Sequence, residues 1–323
     1  MKVIITDCDH KNIDIETSIL NNTNIPFKLL QCRTEDDLIN KCKGADILIN
    51  QYAPITQNVM EKLSTELKLV VRYGVGVDNV NVKAATKMGI TVCNVPDYGT
   101  NEVADHALSL MLAIQRKIVL MSNYTKNEKW DYVKAIPVHR HSTLTIGIVG
   151  IGRIGKAFAK RVNVLGCNVV AYDPKFDKNI KDCKSFVKSV TMEKLLDISD
   201  IISIHCPPDN TIGLFNDEAF NRMKKTAYII NTARGGIIDE EALERALSQR
   251  TIAGAAIDVV KKEPMSPEAP LFRHENFICT PHMAWYSEEA ALELKRKVAE
   301  EVVRFAKGER VFYPVNNILI KEE

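Results

Sequence analysis

Short aliphatic and β-branched runs recur along this chain, each followed by a polar stretch whose apolar residues return at helical spacing. Val3-Ile-Ile-Thr6, Phe27-Lys-Leu-Leu30, Asp46-Ile-Leu-Ile49, Leu67-Lys-Leu-Val-Val71 and Ile90-Thr-Val-Cys93 form one series. Leu144-Thr-Ile-Gly-Ile-Val149, Asn168-Val-Val-Ala-Tyr172, Asp200-Ile-Ile-Ser-Ile204, Ala227-Tyr-Ile-Ile230, Ile252-Ala-Gly-Ala-Ala-Ile257 and Phe277-Ile-Cys279 form a second. Continuous apolar runs belong to strands buried on both faces, and regular strand–helix alternation builds a parallel sheet between two helical layers. The pattern predicts an α/β chain with two doubly wound parallel-sheet domains. A length of 323 residues agrees, since a single core rarely grows that large.

The segments outside the two series set the expected boundaries. Asn101 to Lys117 combines strong helix formers with an apolar face, and predicts a helix connecting the two units. Ser287 to Gly308 reads as one long helix, followed by Val311-Phe-Tyr-Pro-Val315. A tail that short cannot form a third core, so it should rejoin the first unit. The expected domains are therefore residues 1–100 plus 287–323, and residues 101–286. Between Met121 and Ser142 the periodicity is poor, yet Tyr124, Trp130 and Tyr132 are present, which suggests an arm that packs on something such as another subunit.

The second series opens with Ile146-Gly-Ile-Val-Gly-Ile-Gly-Arg-Ile-Gly155, directly before the helix-like Lys156-Ala-Phe-Ala-Lys-Arg161. Gly150 permits a tight turn, Gly152 lets a pyrophosphate approach the backbone, and Gly155 allows close helix–strand packing. Free N–H groups and the positive helix end would face the phosphates. The following strand ends in Asp173, at the spacing of a ribose-binding carboxylate. Strand, glycine loop, helix, strand and acid together predict a Rossmann dinucleotide site. Asp173 would accept hydrogen bonds from a free 2′-hydroxyl and repel a 2′-phosphate, favouring NAD; Lys175 and Lys178 nearby keep NADP open. A second cluster, Arg72-Tyr-Gly-Val-Gly-Val-Asp-Asn79, lacks the third glycine and the distant acid. Exposed N–H groups at such a turn suit a carboxylate instead.

Composition narrows the partners. Lys+Arg (43) nearly balance Asp+Glu (41), so the formal charge of +2 leaves no electrostatic footprint for nucleic acid. The most apolar helical run, Ala107 to Ile114, is far too short to span a bilayer, and the N-terminus enters a strand without a secretory leader, so a cytoplasmic protein is expected. The eight cysteines form no Cys-x-x-Cys pair and predict reduced thiols rather than a zinc site or disulfide framework. His139-Arg-His141 has too few companions for a metal site; His10, His106 and His274 read as structural or solvated.

Three charged or titratable residues follow successive strands of the second series: Arg234 in Asn231-Thr-Ala-Arg-Gly-Gly236, Glu263 in Asp258-Val-Val-Lys-Lys-Glu-Pro264, and His282 in Cys279-Thr-Pro-His282. Carboxyl ends of strands surround the ligand crevice of such a sheet. Singly, Arg234 could pair with Asp239, Glu263 could be a loop acid, and His282 could cap the helix beginning near Ser287. Jointly, beyond a complete dinucleotide fingerprint, they form a candidate catalytic set.

With these motifs the chain resembles the D-isomer-specific 2-hydroxyacid dehydrogenases over nearly its whole length. Val92-Cys-Asn-Val-Pro96 and Ala284-Trp-Tyr-Ser287 are similar to the branch holding the C-terminal-binding-protein corepressors and their bacterial enzyme relatives. The resemblance implies a flavodoxin-like substrate domain and a Rossmann NAD-binding domain, a small 2-oxo or 2-hydroxy acid as substrate, and a homodimer formed through the connecting helix and aromatic arm. It implies that Arg234 holds the substrate carboxylate with its planar fork, while the backbone of Val75 and Gly76 grips the same group. His282 would exchange a proton with the C2 oxygen, and Glu263 would orient the imidazole and favour its charged form. Cofactor contacts are implied for Gly150, Gly152, Arg153, Ile154 and Gly155, for Asp173, for His205, Cys206 and Pro207, and for Thr211, Thr232, Ala233, Arg234, Asp258 and His282. Trp285 would wall the substrate pocket or anchor a domain interface. Pro208 departs from the apolar residue common in the family's loop after Pro207. Two other readings accompany the dehydrogenase one: an NAD(H)-sensing scaffold like the corepressors, and a D-3-phosphoglycerate dehydrogenase.

Overall fold

The computed structural model describes residues 1–127, 130–180, 182–208 and 210–317. The chain divides into two compact units: Met1–Gly99 with the segment from Ser287 onward, and Thr100–Tyr286.

The first unit is built on β1 (Val3–Ile5), β2 (Phe27–Leu29), β3 (Ile47–Asn50), β4 (Leu69–Arg72) and β5 (Thr91–Cys93). All pair in parallel, in the order β2-β1-β3-β4-β5. The central strands β1 and β3 are buried throughout, as their unbroken apolar runs require. The helix Glu288–Ala306 packs on the helix Asp14–Asn22. Ser287 caps it by accepting from the Ala290 N–H at 2.9 Å, and Leu294, Val298, Ala299 and Val302 form its buried stripe. Lys295 is buried with it, donating to the Asn12 carbonyl at 2.6 Å and standing 3.7 Å from the buried Glu16. The tail after this helix closes the edge of β5. Cys93 bridges Pro314 antiparallel, and Asn316 accepts from the Val92 N–H (2.8 Å) while donating to the Ile90 carbonyl (2.9 Å). An exposed sheet edge is thereby covered.

The second unit holds β6 (Thr145–Val149), β7 (Asn168–Tyr172), β8 (Val187–Ser189), β9 (Ile201–Ile204), β10 (Tyr228–Asn231), β11 (Gly254–Ile257) and β12 (Phe277–Cys279). The order β12-β11-β10-β9-β6-β7-β8 is parallel throughout and reverses direction between β6 and β9. Such a reversal opens a crevice at the carboxyl ends of the two strands. β8 is missing from the sequence-derived series because only Val187 of its three residues is buried, leaving no apolar run to read.

Thr100–Gln115 is helical, burying Ala104, Ala107, Leu110, Met111 and Ile114, but it stops short of the Lys117 end expected from the sequence. Lys117 adopts a left-handed conformation (φ 52°), and a second helix, Ile118–Lys126, runs into the stretch read as aperiodic. That helix buries none of its residues, so no apolar face marks it in the sequence. Beyond it Trp130 is 91% and Tyr132 75% exposed.

Replacing Asn316 by Ala leaves the buried Val92 N–H and Ile90 carbonyl without their partner. A loss of about 1–3 kcal/mol is expected, read as an earlier urea-unfolding transition; an unchanged midpoint would show that the tail adds nothing to the sheet.

Candidate active site

The dinucleotide loop leaves β6 at the reversal. Gly150 is left-handed (φ 92°), and a Cβ there would meet the Cys206 nitrogen at 2.7 Å and the His205 carbonyl carbon at 2.8 Å. A Cβ on Gly155 would lie 2.1 Å from the Gly150 oxygen, so helix Arg153–Val164 reaches the loop only because this position is bare. Nothing stands within 4 Å of a Cβ on Gly152. Of the three glycines of this motif, the one free of protein contact is the one where a pyrophosphate would approach, and Gly152 is also the helix N-cap, followed by Arg153 and Ile154 with first-turn N–H groups that lack intrahelical acceptors.

Asp173 ends β7 as expected. One carboxylate oxygen accepts from the Ile151 N–H (2.9 Å) and the other from the Lys175 N–H (2.7 Å), so it braces the glycine loop as well as facing a depression. That depression, about 540 Å³, is lined by Tyr172, Asp173, Ser189, Val190, Thr191, Met192 and Glu193. Its second wall follows β8 and stayed invisible in the sequence with it. Glu193 is held below the usual carboxylate range by its own backbone N–H and the Thr191 hydroxyl, so two acids border the hollow.

The loop after β9, where His205, Cys206 and Pro207 were expected to line the cofactor, passes close to Gly150. His205 turns its ring inward, 2.8 Å from the Ser203 hydroxyl and 5.1 Å from the Phe158 ring, and burial pushes its imidazole down to about 3, leaving it neutral. Its backbone, rather than its ring, borders Gly150. Burial raises the Cys206 thiol, which disfavours the thiolate form. Thr211 donates its hydroxyl to the Pro207 carbonyl at 2.6 Å and so shapes the turn.

After β10, Asn231 organises the arginine segment by accepting from the Ala233 N–H (3.0 Å) and donating to the Arg234 carbonyl (2.9 Å). Arg234 donates from Nη1 to the Ala233 carbonyl at 2.7 Å. A Cβ on Gly235 would strike the Val260 backbone at 1.9 Å, so the chain can cross the β11 loop only with glycine there. Asp239 is the N-cap of helix Glu240–Ser248. Thr232 has a buried hydroxyl with no hydrogen-bond partner among the described residues, and its placement after β10 suits an incoming polar ligand group.

Glu263 and His282 meet. His282 Nδ1 lies 2.7 Å from Glu263 Oε2, with the two side chains 43% and 40% exposed. A carboxylate can only accept, so Nδ1 carries the proton and Nε2 is left for a ligand. Burial pushes the Glu263 carboxyl up, but the His282 hydrogen bond and charge, the Val260 N–H and the Arg234 charge outweigh it and hold the carboxyl below its usual value. The Glu263–Pro264 bond is cis.

His282 itself is left-handed (φ 52°) and bends the chain around Asp258. The Asp258 carboxylate accepts from the Met283 N–H (3.0 Å), the Ala284 N–H (2.9 Å) and the Thr280 hydroxyl (2.5 Å), while the His282 N–H reaches the Asp258 carbonyl at 2.8 Å. Expected as a cofactor contact, Asp258 is already the internal anion of the histidine loop. Its position at the end of β11 was legible; its partners, more than twenty residues away, were not. Trp285 is half-buried and edge-on to Tyr286, with ring centres 5.5 Å apart. In the first unit, the Val75 and Gly76 N–H groups donate to no described acceptor; Asn94 donates to the Val75 carbonyl at 2.6 Å.

Bare glycines, first-turn N–H groups, the Asp173 hollow and the unpartnered Thr232 hydroxyl fit a dinucleotide. The comparisons agree. Residues 108–284 match the family described as D-isomer specific 2-hydroxyacid dehydrogenase, NAD binding domain. A D-3-phosphoglycerate dehydrogenase of Archaeoglobus fulgidus is 40% identical over 285 residues, 88% of this chain and 54% of that protein, so this chain spans about half of that relative's length. A glyoxylate reductase of Korarchaeum cryptofilum is 37% identical over 297 residues, 88% of this chain and 86% of that one. The crystal structure of a D-lactate dehydrogenase from Aquifex aeolicus, complexed with NAD and lactic acid, superposes with a TM-score of 0.87 at 25% identity, covering 95% of this chain and 96% of that one. No helix among the described residues is long and apolar enough to cross a membrane. With its second unit as the NAD-binding domain, the chain belongs to the D-isomer specific 2-hydroxyacid dehydrogenase family.

Proposed function

We propose that this protein is an NAD-dependent oxidoreductase that interconverts a D-2-hydroxy acid and its 2-oxo acid. The observation that carries the reading is the His282–Glu263 pair at 2.7 Å, within reach of the Arg234 charge and beyond the strands that bear the dinucleotide loop. NADH, when bound, supplies a hydride to C2 of the oxo acid. Arg234 offers a planar pair of donors to the carboxylate and its charge polarises the neighbouring carbonyl. The Val75 and Gly76 N–H groups are a second set of donors suited to a carboxylate. Imidazolium Nε2 of His282 gives the carbonyl oxygen its proton, and neutral His282 takes it back in the oxidative direction. Ionised Glu263 keeps the Nδ1 proton in place, so Nε2 is the nitrogen that exchanges.

The relatives named glyoxylate reductase, D-3-phosphoglycerate dehydrogenase and D-lactate dehydrogenase share a 2-hydroxy or 2-oxo acid. A panel of glyoxylate, pyruvate and 3-phosphohydroxypyruvate with NADH and NADPH therefore tests the reading. NADH oxidation with at least one is expected; an NADH-loaded protein inert toward the whole panel would leave the scaffold reading in its place. Among the described residues Asp173 and Glu193 favour NADH over NADPH. A scaffold has no need of an imidazole held by a carboxylate, which is why the enzyme reading is preferred. The protein is further proposed to work in the cytoplasm as a homodimer, through the helix Thr100–Gln115 and the exposed Trp130 and Tyr132.

Four substitutions test the parts. His282→Ala should lower kcat by about 10²–10⁴-fold with NADH affinity retained. Arg234→Lys should raise KM for the oxo acid and lower kcat, because an ammonium lacks the fork. Glu263→Gln replaces the anion that holds the Nδ1 proton with a neutral amide that can turn its own N–H toward the ring, so kcat should fall with NADH affinity retained; an unchanged kcat would count against the pair. Gly152→Ala meets no protein atom and should fold normally, yet weaken NADH by about tenfold or more, the worth of one good contact. Fluorescence titration and thermal melting separate the two effects. For the assembly, Trp130→Ala should shift sedimentation toward the monomer.

A further inference from the structure

We infer that His106, on the helix Thr100–Gln115, is a positioning residue for His282. The inference rests on the acid–base role of His282 proposed above and adds a residue outside the dinucleotide and arginine motifs. His106 Nε2 lies 2.9 Å from the Thr280 hydroxyl and 3.5 Å from Asp258 Oδ1. Thr280 Oγ1 is 2.5 Å from the same Asp258 oxygen. A hydroxyl has one proton, and the carboxylate can only accept it, so the Thr280 oxygen faces His106 as an acceptor. Nε2 of His106 must then carry a hydrogen. Two donated protons thus run from His106 to Thr280 to Asp258, where the Met283 and Ala284 N–H groups also arrive.

The Asp258 side chain is wholly buried. A buried carboxylate is tolerated only when its lone pairs are satisfied, and each lost donor is felt by those that remain. Thr280 is held from both sides, by Asp258 and by His106, and lies two residues before His282. The neighbours of His106 on its helix, Ala104, Ala107 and Leu110, are buried, and the helix packs along β10, β11 and β12. Through His106 this rigid element fixes the origin of the histidine loop, and with it the left-handed bend that aims His282 at Glu263.

Kinetics of the full-length protein with NADH and its best oxo acid, together with ¹⁵N-histidine spectra, test the inference. His106→Leu should lower kcat by about 10–100-fold, the effect of a slightly misplaced catalytic group, with NADH affinity and thermal midpoint close to the parent. His106→Gln, whose amide can present an N–H near the place of Nε2, should recover most of the rate. The His282 ring signals, assigned through His282→Ala, should shift in His106→Leu and return in His106→Gln. Unchanged kcat and ring signals in His106→Leu would overturn the inference. So would a parallel loss of NADH affinity and stability, which marks a general structural role, or a glutamine variant no better than leucine. If the parent protein turns over no oxo acid, the functional reading fails, and the ring signals alone decide whether His106 positions His282.

Discussion

The carboxylate of Asp258 is the anion on which the candidate site is assembled. Peptide N–H groups from Met283 and Ala284 converge on it, the hydroxyl of Thr280 closes it, and His282 turns left-handed to let the chain wrap around it. Such a concave arrangement of N–H groups is the kind that binds phosphates elsewhere. Here the chain supplies its own anion, so the loop is set before any ligand arrives. His282 is held at its backbone by Asp258 and at its ring by Glu263, and two carboxylates, one buried and one half-exposed, leave it a single free nitrogen.

The glycines show the opposite tactic, in which structure depends on matter left out. Gly150 lets the loop after β6 touch the loop after β9, Gly155 lets a helix reach that loop, and Gly235 lets the arginine segment cross the backbone at Val260. Each is closed by protein. Gly152 stays open, so within the loop after β6 two glycines are spent on packing and one is kept for a ligand.

Much of this was legible in the sequence. Among the described residues, eleven of the twelve strands announce themselves as apolar runs, and the fold class follows because parallel sheets bury both faces. The glycine loop, Asp173, Arg234, Glu263 and His282 stand at strand ends, where the chain order alone predicts a ligand edge. What escaped lacked a periodic or compositional mark. β8 buries one residue, and the helix Ile118–Lys126 buries none. The inward turn of His205 depends on Ser203 and Phe158, and the role of Asp258 depends on Thr280, Met283 and Ala284. A one-dimensional reading can place a titratable residue at the right edge of a sheet; it cannot tell which neighbour consumes its lone pairs.

The first unit is interrupted: its helix Asp14–Asn22 packs on Glu288–Ala306, and Asn316 returns to the edge strand β5. The second unit is contiguous. During synthesis the second unit can close as soon as β12 has emerged, while the first must wait with one helix face and one strand edge uncovered. Contacts across so long a sequence separation are slow to form, because the loop-closure entropy comes due before the reward. Through that interval the inner face of the helix Asp14–Asn22 and the edge of β5 lack the cover that the last residues bring.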